Sequence, residues 1–305
     1  KVILVGDKIV IKKAYDIVRC NMELNEINKI DEYQNNKINY ISLNNVDFNY
    51  EYGKVQAKCG KSSFQYIKKA INLALEDKID AVVTAPINKE ALHLGGYKYS
   101  GHTEIFADLT NTKDYAMLLI GGPLKVIHVT THISMREACD RIKKDRVLTV
   151  IRLAEEAMIH LGIKQPKVAV AGFNAHSGEN GLFGKEEILE IIPAIEEAKS
   201  EGIEVYGPVS PDTVFMHAKN GKYDIVVVMY HDQGHIPLKV LDFMGGVNIT
   251  VGLPIIRISV DHGTAFGKAG KGTADENSMI NAIKMAISFS NNRILQSSTS
   301  IVKAP

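Results

Sequence analysis

The sequence predicts an α/β protein of two α/β/α domains with a cleft between them, and three observations carry the prediction. Short β-branched runs such as Lys125–Thr131, Lys167–Gly172 and Asp224–Tyr230 are separated by stretches with helical spacing, the pattern of parallel strands joined through helices. At 305 residues the chain is longer than one core usually holds. Polar clusters follow directly on several of the runs, which places candidate chemistry at the carboxyl ends of strands, where open α/β sheets bind ligands.

Taken in order, Val2–Val5 is the first strand, followed by a helix over Ile11–Cys20 and a polar, asparagine-rich stretch from Asn21 to Asn39. Phe64, Ile67, Ala70, Ile71, Ala74 and Leu75 recur at helical spacing and predict a helix over Ser62–Asp77. Ala81–Thr84 reads as a buried strand stopped by Pro86. Met135–Leu161 holds one long amphipathic helix ended by Gly162, and Lys185–Ser200 a second that Pro193 should kink. Asn277–Phe289 is the last helix. One stretch breaks the alternation: Gly246–Gly252 and Ile255–Val260 are strand-like runs joined by Leu253 and Pro254, a hairpin or a bent strand that would cross between domains. The chain opens directly into its first strand, so we expect a native segment to precede Lys1.

Composition narrows the function. Hydrophobic content of 45% and charged content of 23% are those of a soluble globular protein. A formal net charge of +1 gives no electrostatic case for nucleic acid or for an anionic membrane. Cys20, Cys59 and Cys139 are far apart, odd in number and without CxxC spacing, which suits a reducing cytoplasm better than a disulfide framework. No apolar stretch approaches membrane-spanning length.

Three histidines carry the strongest chemical signal. His132, His176 and His231 each follow a strand-like run, so three imidazoles at three strand ends could form an open coordination sphere for a catalytic divalent metal. The alternative for each is an ordinary loop histidine. Ser100–Glu104 is a polar turn into a helix, whose free N–H groups suit an anion; capping by Ser100 or Thr103 explains it equally. In Tyr230–Lys239 so many polar groups make little sense as core. There Asp232 could orient an imidazole, act as a base, sit behind the metal, or simply cap a helix. Lys239 would lie about two turns on, within reach of a phosphate or carboxylate. Asn248 and Arg257 pair on the strand-like crossing, and arginine offers bidentate anion recognition, though a lone strand arginine is more often at the surface. The glycine-rich loop Asp261–Asp275 would let backbone approach a nucleotide, but it is not GxGxxG after a first strand. Gly178, Gly181 and Gly184 read as a mobile loop without phosphate-binding spacing.

At these motifs the chain resembles the 4-hydroxythreonine-4-phosphate dehydrogenases. The matching stretches are Val83–Lys89, Gly101–Glu104, Thr130–His132, Asn174–His176, Met229–Gly234, Gly246–Thr250 and Val260–Ala265, in family order across most of the chain. The resemblance implies an isocitrate/isopropylmalate dehydrogenase type of fold, NAD, one divalent metal per site, and a homodimer with shared active sites. It implies His132, His176 and His231 as metal ligands, and His102, Thr103, Lys239, Asn248 and Arg257 as substrate contacts. The loop from His262, Gly263, Thr264 and Ala265 through Gly270–Gly272 to Asp275 resembles the adenosine-binding loop of that superfamily. The expected division is residues 1–97 with 250–305, carrying the nucleotide loop, and residues 98–249, carrying the metal histidines and the dimer interface.

The chain departs from the family in lacking an opening strand with a Gly-Asp-Pro-Ala-Gly-rich turn. Asn180–Gly184 and Gln233–Lys239 look more like a sister branch acting on D-threonate and D-erythronate 4-phosphates. Oxidative decarboxylation to dihydroxyacetone phosphate and CO2 is therefore the expected reaction, with 4-hydroxythreonine 4-phosphate oxidation in vitamin B6 synthesis as the alternative. Asp232 and Lys239 are the candidate catalytic groups. Three nitrogen ligands suit zinc; magnesium, manganese, cobalt or nickel would serve with substrate oxygens. A metal-dependent hydrolase or aldolase would use the histidines without the glycine loop, and a sugar-phosphate sensor would bind without turnover.

Overall fold

Strands form where apolar residues alternate or run continuously, and helices where they return every third or fourth position. The computed structural model describes residues 1–46, 49–242 and 245–301, with side chains to residue 292. Two compact units result: residues 1–111 with 262–276, and residues 112–261 with those from 277 onward.

In the first unit, β1 (Ile3–Gly6) is followed by α1 (Lys8–Ile17), β2 (Leu24–Glu26) and β3 (Ile38–Ser42). The three strands form a parallel sheet in the order β1-β3-β2, with Ile3 opposite Asn39 and Leu24 opposite Ile38. The polar stretch after α1 thus contributes strands, because its asparagines satisfy backbone. Buried Asn39 accepts from Gln34 N and donates to Gln34 O, at 2.9 and 2.8 Å. α2 (Ala57–Leu75) packs on β1 and on β4 (Ala81–Thr84). It buries Phe64, Ile67, Ala70, Ile71 and Ala74 as their spacing predicts, while Leu75 is exposed. α3 (Lys89–Leu94) crosses α2 at Gly60, where any Cβ would overlap the Ala91 carbonyl. α4 (His102–Leu109) ends the first run of this unit.

The second unit holds β5 (Ala116–Gly121), β6 (Leu124–His128), α5 (Met135–Arg141), α6 (Lys144–His160), β7 (Val168–Ala171), α7 (Ile192–Ser200) and β8 (Val205–Val209). α8 (Val214–Lys219), β9 (Ile225–Val228), α9 (His231–Leu241), β10 (Val247–Val251), β11 (Ile256–Val260) and α10 (Asn277–Ile301) complete it. Its strands run β11-β10-β5-β6-β9-β7-β8. β6, β9, β7 and β8 are parallel, as the runs predict, and β11, β10 and β5 are antiparallel additions. Met117, Leu119, Val126, Val226 and Val228 face Val214 of α8 and Leu238 of α9. Alternation sends their neighbours Leu118, Ile127 and Val227 to the opposite face, and α6 packs on β6, β7 and β9. This is a three-layer α/β/α arrangement.

Several expectations change. The helix over Met135–Leu161 is two helices, because Ile142 leaves helical geometry and is wholly buried. The helix over Lys185–Ser200 begins as a π-turn, Glu187–Ile191, and Pro193 falls in the first turn of α7, where its missing N–H costs little. The stretch expected to cross between domains is the β10–β11 hairpin, wholly in the second unit. The partition therefore differs from the one expected, since β10 pairs with β5, and α10 packs on β11. Among the described residues no helix is long and apolar enough to cross a membrane.

Candidate metal and substrate site

Parallel register brings His132 and His231 together. His128 of β6 lies opposite Val228 of β9, and the pairing continues beyond the strands: Val129 N donates to Val228 O, and Thr130 N and Oγ1 both donate to Met229 O. The two segments leave the sheet side by side, and the His132 and His231 ring centroids stand 5.5 Å apart. His231 opens α9, with Nδ1 2.6 Å from Asp232 Oδ1. An ionised carboxylate only accepts, so in the neutral ring Nδ1 carries the hydrogen and Nε2 the lone pair. Tyr230, not Asp232, is the N-cap, so capping does not explain this aspartate.

Behind His231 lie two further imidazoles. The His235 ring stacks on it at 3.6 Å and 12°, with Nδ1 2.9 Å from His231 O. His128, fully buried, is 4.9 Å from His235 between centroids, with Nδ1 3.1 Å from Met117 O. Burial pushes His128 down to about 3 and His235 down to about 4, so both rings are neutral. Gly234 is required here, because a Cβ would come 2.7 Å from His128 Nε2. The polar run after β9 is therefore partly core: Gln233 and His235 are both buried. Gln233 Oε1 accepts from Met229 N at 2.6 Å, and its Nε2 donates to Gly172 O at 2.8 Å.

Gly172 begins the segment carrying His176. From His176 to Asn180 five successive residues have φ between 42° and 79°. Left-handed backbone costs about 1–2 kcal/mol per non-glycine residue, so surrounding contacts must impose it. Gly178 and Gly184 are packed against Glu187 and Asn174, which makes this a built turn rather than the loose loop expected. The His176 ring is exposed, with Nδ1 3.9 Å from Asp212 Oδ2. Among the described residues no three histidine, cysteine, aspartate or glutamate side chains are grouped to hold one ion, so His176 does not join the other two.

Lys239 lies two turns along α9 and donates from Nζ to Asp261 Oδ2 at 2.7 Å. Arg257 is not the surface residue its strand position suggested: it is 2% exposed, opposite Thr250, with Nη1 donating to Thr250 Oγ1 at 3.0 Å. Asn248, two residues along, has its Oδ1 buried without a hydrogen bond. In the first unit, His102 and Thr103 are the opening residues of α4. Gly101 is the N-cap and no side chain caps, so neither Ser100 nor Thr103 plays that part. His262, Gly263, Ala265 and Asp275 are exposed along the glycine loop, with Thr264 half-buried. Tyr52 packs so closely on Gly270 that a Cβ would fall 2.6 Å from its ring.

The family model described as "Pyridoxal phosphate biosynthetic protein PdxA" matches residues 1–286. The chain belongs to the PdxA family. A relative from Oceanobacillus iheyensis, provisionally named D-threonate 4-phosphate dehydrogenase, is 51% identical over 93% of this chain and 87% of its own. The crystal structure of 4-hydroxythreonine-4-phosphate dehydrogenase from Klebsiella pneumoniae superposes with a TM-score of 0.87 at 47% identity, covering 94% of this chain and 88% of that one. A β-decarboxylating dehydrogenase from Thermococcus kodakarensis, 15% identical, matches with a TM-score of 0.50 over 93% and 82%, a likeness of fold alone. The chain is thus an enzyme of a dehydrogenase family with a β-decarboxylating-dehydrogenase type of fold.

A PdxA-family reading implies a divalent ion, and the rim can be tested for it. Two imidazoles sharing one tetrahedral ion at about 2.1 Å per nitrogen hold their centroids about 5 Å apart. The His132–His231 pair, at 5.5 Å, fits. Its carboxylate-held Nδ1 is also the outer partner that metal-binding histidines usually have. Sequence reasoning missed His128, His235, Gln233 and Glu187. Only the i, i+4 spacing of His231 and His235 on a helix signalled any of them.

Proposed function

We propose that this PdxA-family protein is an NAD-dependent, divalent-metal-dependent dehydrogenase that oxidises and decarboxylates a phosphorylated four-carbon hydroxy acid. D-threonate 4-phosphate or D-erythronate 4-phosphate is the substrate, and dihydroxyacetone phosphate and CO2 the products. The observation that carries the reading is the His132–His231 pair, set by strand register and backed by Asp232. His132 and His231 would hold the cation, with His176 as the further ligand supplied in a homodimer. When bound, the ion supplies Lewis-acid stabilisation of negative charge on substrate oxygen.

The chain's own residues do the rest. Asp232 keeps the His231 hydrogen on Nδ1 and so aims Nε2 outward, which favours an orienting role over that of general base. Asp261 fixes the Lys239 ammonium, and Thr250 fixes the Arg257 guanidinium, so both cations are oriented before an anionic substrate arrives. His102 and Thr103 present the first N–H groups of α4 to a phosphate. The loop from His262 to Asp275 takes the adenosine part of NAD. Zinc is the first choice of metal, and the cytoplasm the expected location.

The 51% relative supports the sugar-acid branch. The family description and the Klebsiella structure support 4-hydroxythreonine 4-phosphate as the second reading. NADH formation with all three substrates, with and without chelator, tests both. Chelator-sensitive turnover of the sugar-acid phosphates is expected; preference for the amino substrate would transfer the enzyme to vitamin B6 synthesis. Silence on all three would overturn the substrate assignment.

A further inference from the structure

We infer that Glu187 is the positioning residue for His176, its buried carboxylate building the left-handed turn that presents the imidazole. The inference rests on the reading of His176 as a metal ligand. Glu187 is 2% exposed, and a carboxylate so deeply placed must be satisfied by protein groups. The groups that bond it are amides. Oε1 accepts from Phe173 N at 2.8 Å and from Asn174 N at 2.7 Å, and Oε2 accepts from Asn174 Nδ2 at 2.9 Å.

Those contacts bracket the histidine. Phe173 and Asn174 are the last residues before the turn, and Ser177 N donates back to Asn174 O at 3.0 Å. On the far side, Gly178 sits so close that a Cβ would meet Glu187 Oε2 at 2.7 Å. The chain therefore winds around one carboxylate from 173 to 178, with His176 at the outside of the winding. Glu186 adds a second hold, its Oε2 accepting from the same Asn174 Nδ2 at 2.7 Å. Glu187 itself begins the π-turn leading into α7, so the anchor belongs to a helix. Gly178 and Asn180 tolerate a left-handed backbone, but His176, Ser177 and Glu179 do not favour it, so the contacts of Glu187 and Glu186 must offset its cost. A purely structural carboxylate would stabilise the unit without affecting a ligand; a positioning one acts through His176 and has no effect once that ring is gone.

The test uses the full chain with Zn²⁺ alone as probe, read by calorimetry, alongside hydrogen exchange over residues 173–184. Glu187→Gln keeps the volume and Oε1 but turns an NH2 toward Asn174 Nδ2. It should raise the Zn²⁺ dissociation constant about tenfold, in the range of other outer-sphere changes, and quicken exchange in the turn. His176→Ala should weaken binding at least as much, and adding Glu187→Gln to it should weaken it no further. Should Glu187→Gln not fold, Asn174→Ala, which removes the side-chain bonds to Glu187 and Glu186 and keeps the backbone ones, carries the same cycle. Parent-like affinity in Glu187→Gln beside weakened His176→Ala would overturn the positioning role and leave the metal reading standing. Additive losses in the double variant would make Glu187 merely structural. Parent-like affinity in His176→Ala would remove His176 from the metal's ligands and overturn this inference with it.

Discussion

His231 is placed by a sheet and His176 by a turn, and the two arrangements depend on different physics. At the end of β9 the backbone hydrogen bonds of the parallel ladder continue through Val129 and Thr130 to Met229, so register alone delivers His132 and His231 to one place. The segment after β7 has no such ladder from Phe173 onward. It adopts a conformation that costs energy at four non-glycine positions and is held by side chains, chiefly Glu187. Ladder placement spreads the determinant over many backbone groups, whereas the turn concentrates it in a few atoms. A single substitution should therefore disturb the second region more easily than the first.

The largest expected effect breaks the sheet-placed pair directly. His231→Ala or His132→Ala should lower kcat/KM on the order of 10³-fold, several kcal/mol of transition-state stabilisation, with the unfolding midpoint little changed. Steady-state NADH formation checks it, and near-parent turnover would remove the pair from the chemistry. Acid comes next and bears on the same side. His128 and His235 are neutral when folded, down to about 3 and about 4, but take a proton near 6.5 when unfolded. Because the folded values are depressed, stability is whole above pH 6.5 and falls as the pH drops toward them, by about 1.4 kcal/mol per pH unit for each histidine. The urea midpoint should decline from pH 7 to pH 5, and a constant midpoint would contradict the burial argument.

Smaller changes sharpen the contrast. Gly178→Ala places a Cβ 2.7 Å from Glu187 Oε2 at φ +79° and should cost about 2 kcal/mol, measured by urea unfolding. Its effect on exchange should be confined to residues 173–184. Thr130→Val removes one hydrogen bond to Met229 O and should cost about 1 kcal/mol while metal affinity stays close to parent. A larger loss of Zn²⁺ binding in Thr130→Val than in Gly178→Ala would reverse the comparison.

Much of the fold was legible because its parallel strands are short, β-branched and buried on both faces. The runs at 125, 167 and 224 became β6, β7 and β9. β5 was missed although all six of its residues are buried, since a short apolar run without alternation carries no period to distinguish strand from helix. The break at Ile142 escaped for a related reason: helical spacing continues on either side, and only a core that draws in that side chain interrupts it. Among the candidate site residues, polar type and position after strands singled out His132 and His231, whereas Lys239 and Arg257 gained their roles from the family resemblance. Their partners Asp261 and Thr250 lie 22 and 7 residues away in sequence, beyond what local pattern can pair.

What the sequence by itself determined is the class of architecture, the family, and the residue types offered at strand ends, because periodicity and local motif are properties of neighbours along the chain. Only the tertiary structure decided which of those residues meet. Strand order sets β6 beside β9, which joins His132 to His231, and no feature within either run encodes that adjacency. The same holds for the buried groups. A glutamate at 187 or a histidine at 128 reads as an ordinary polar residue until folding removes water from it and leaves amides or a carbonyl as its partners.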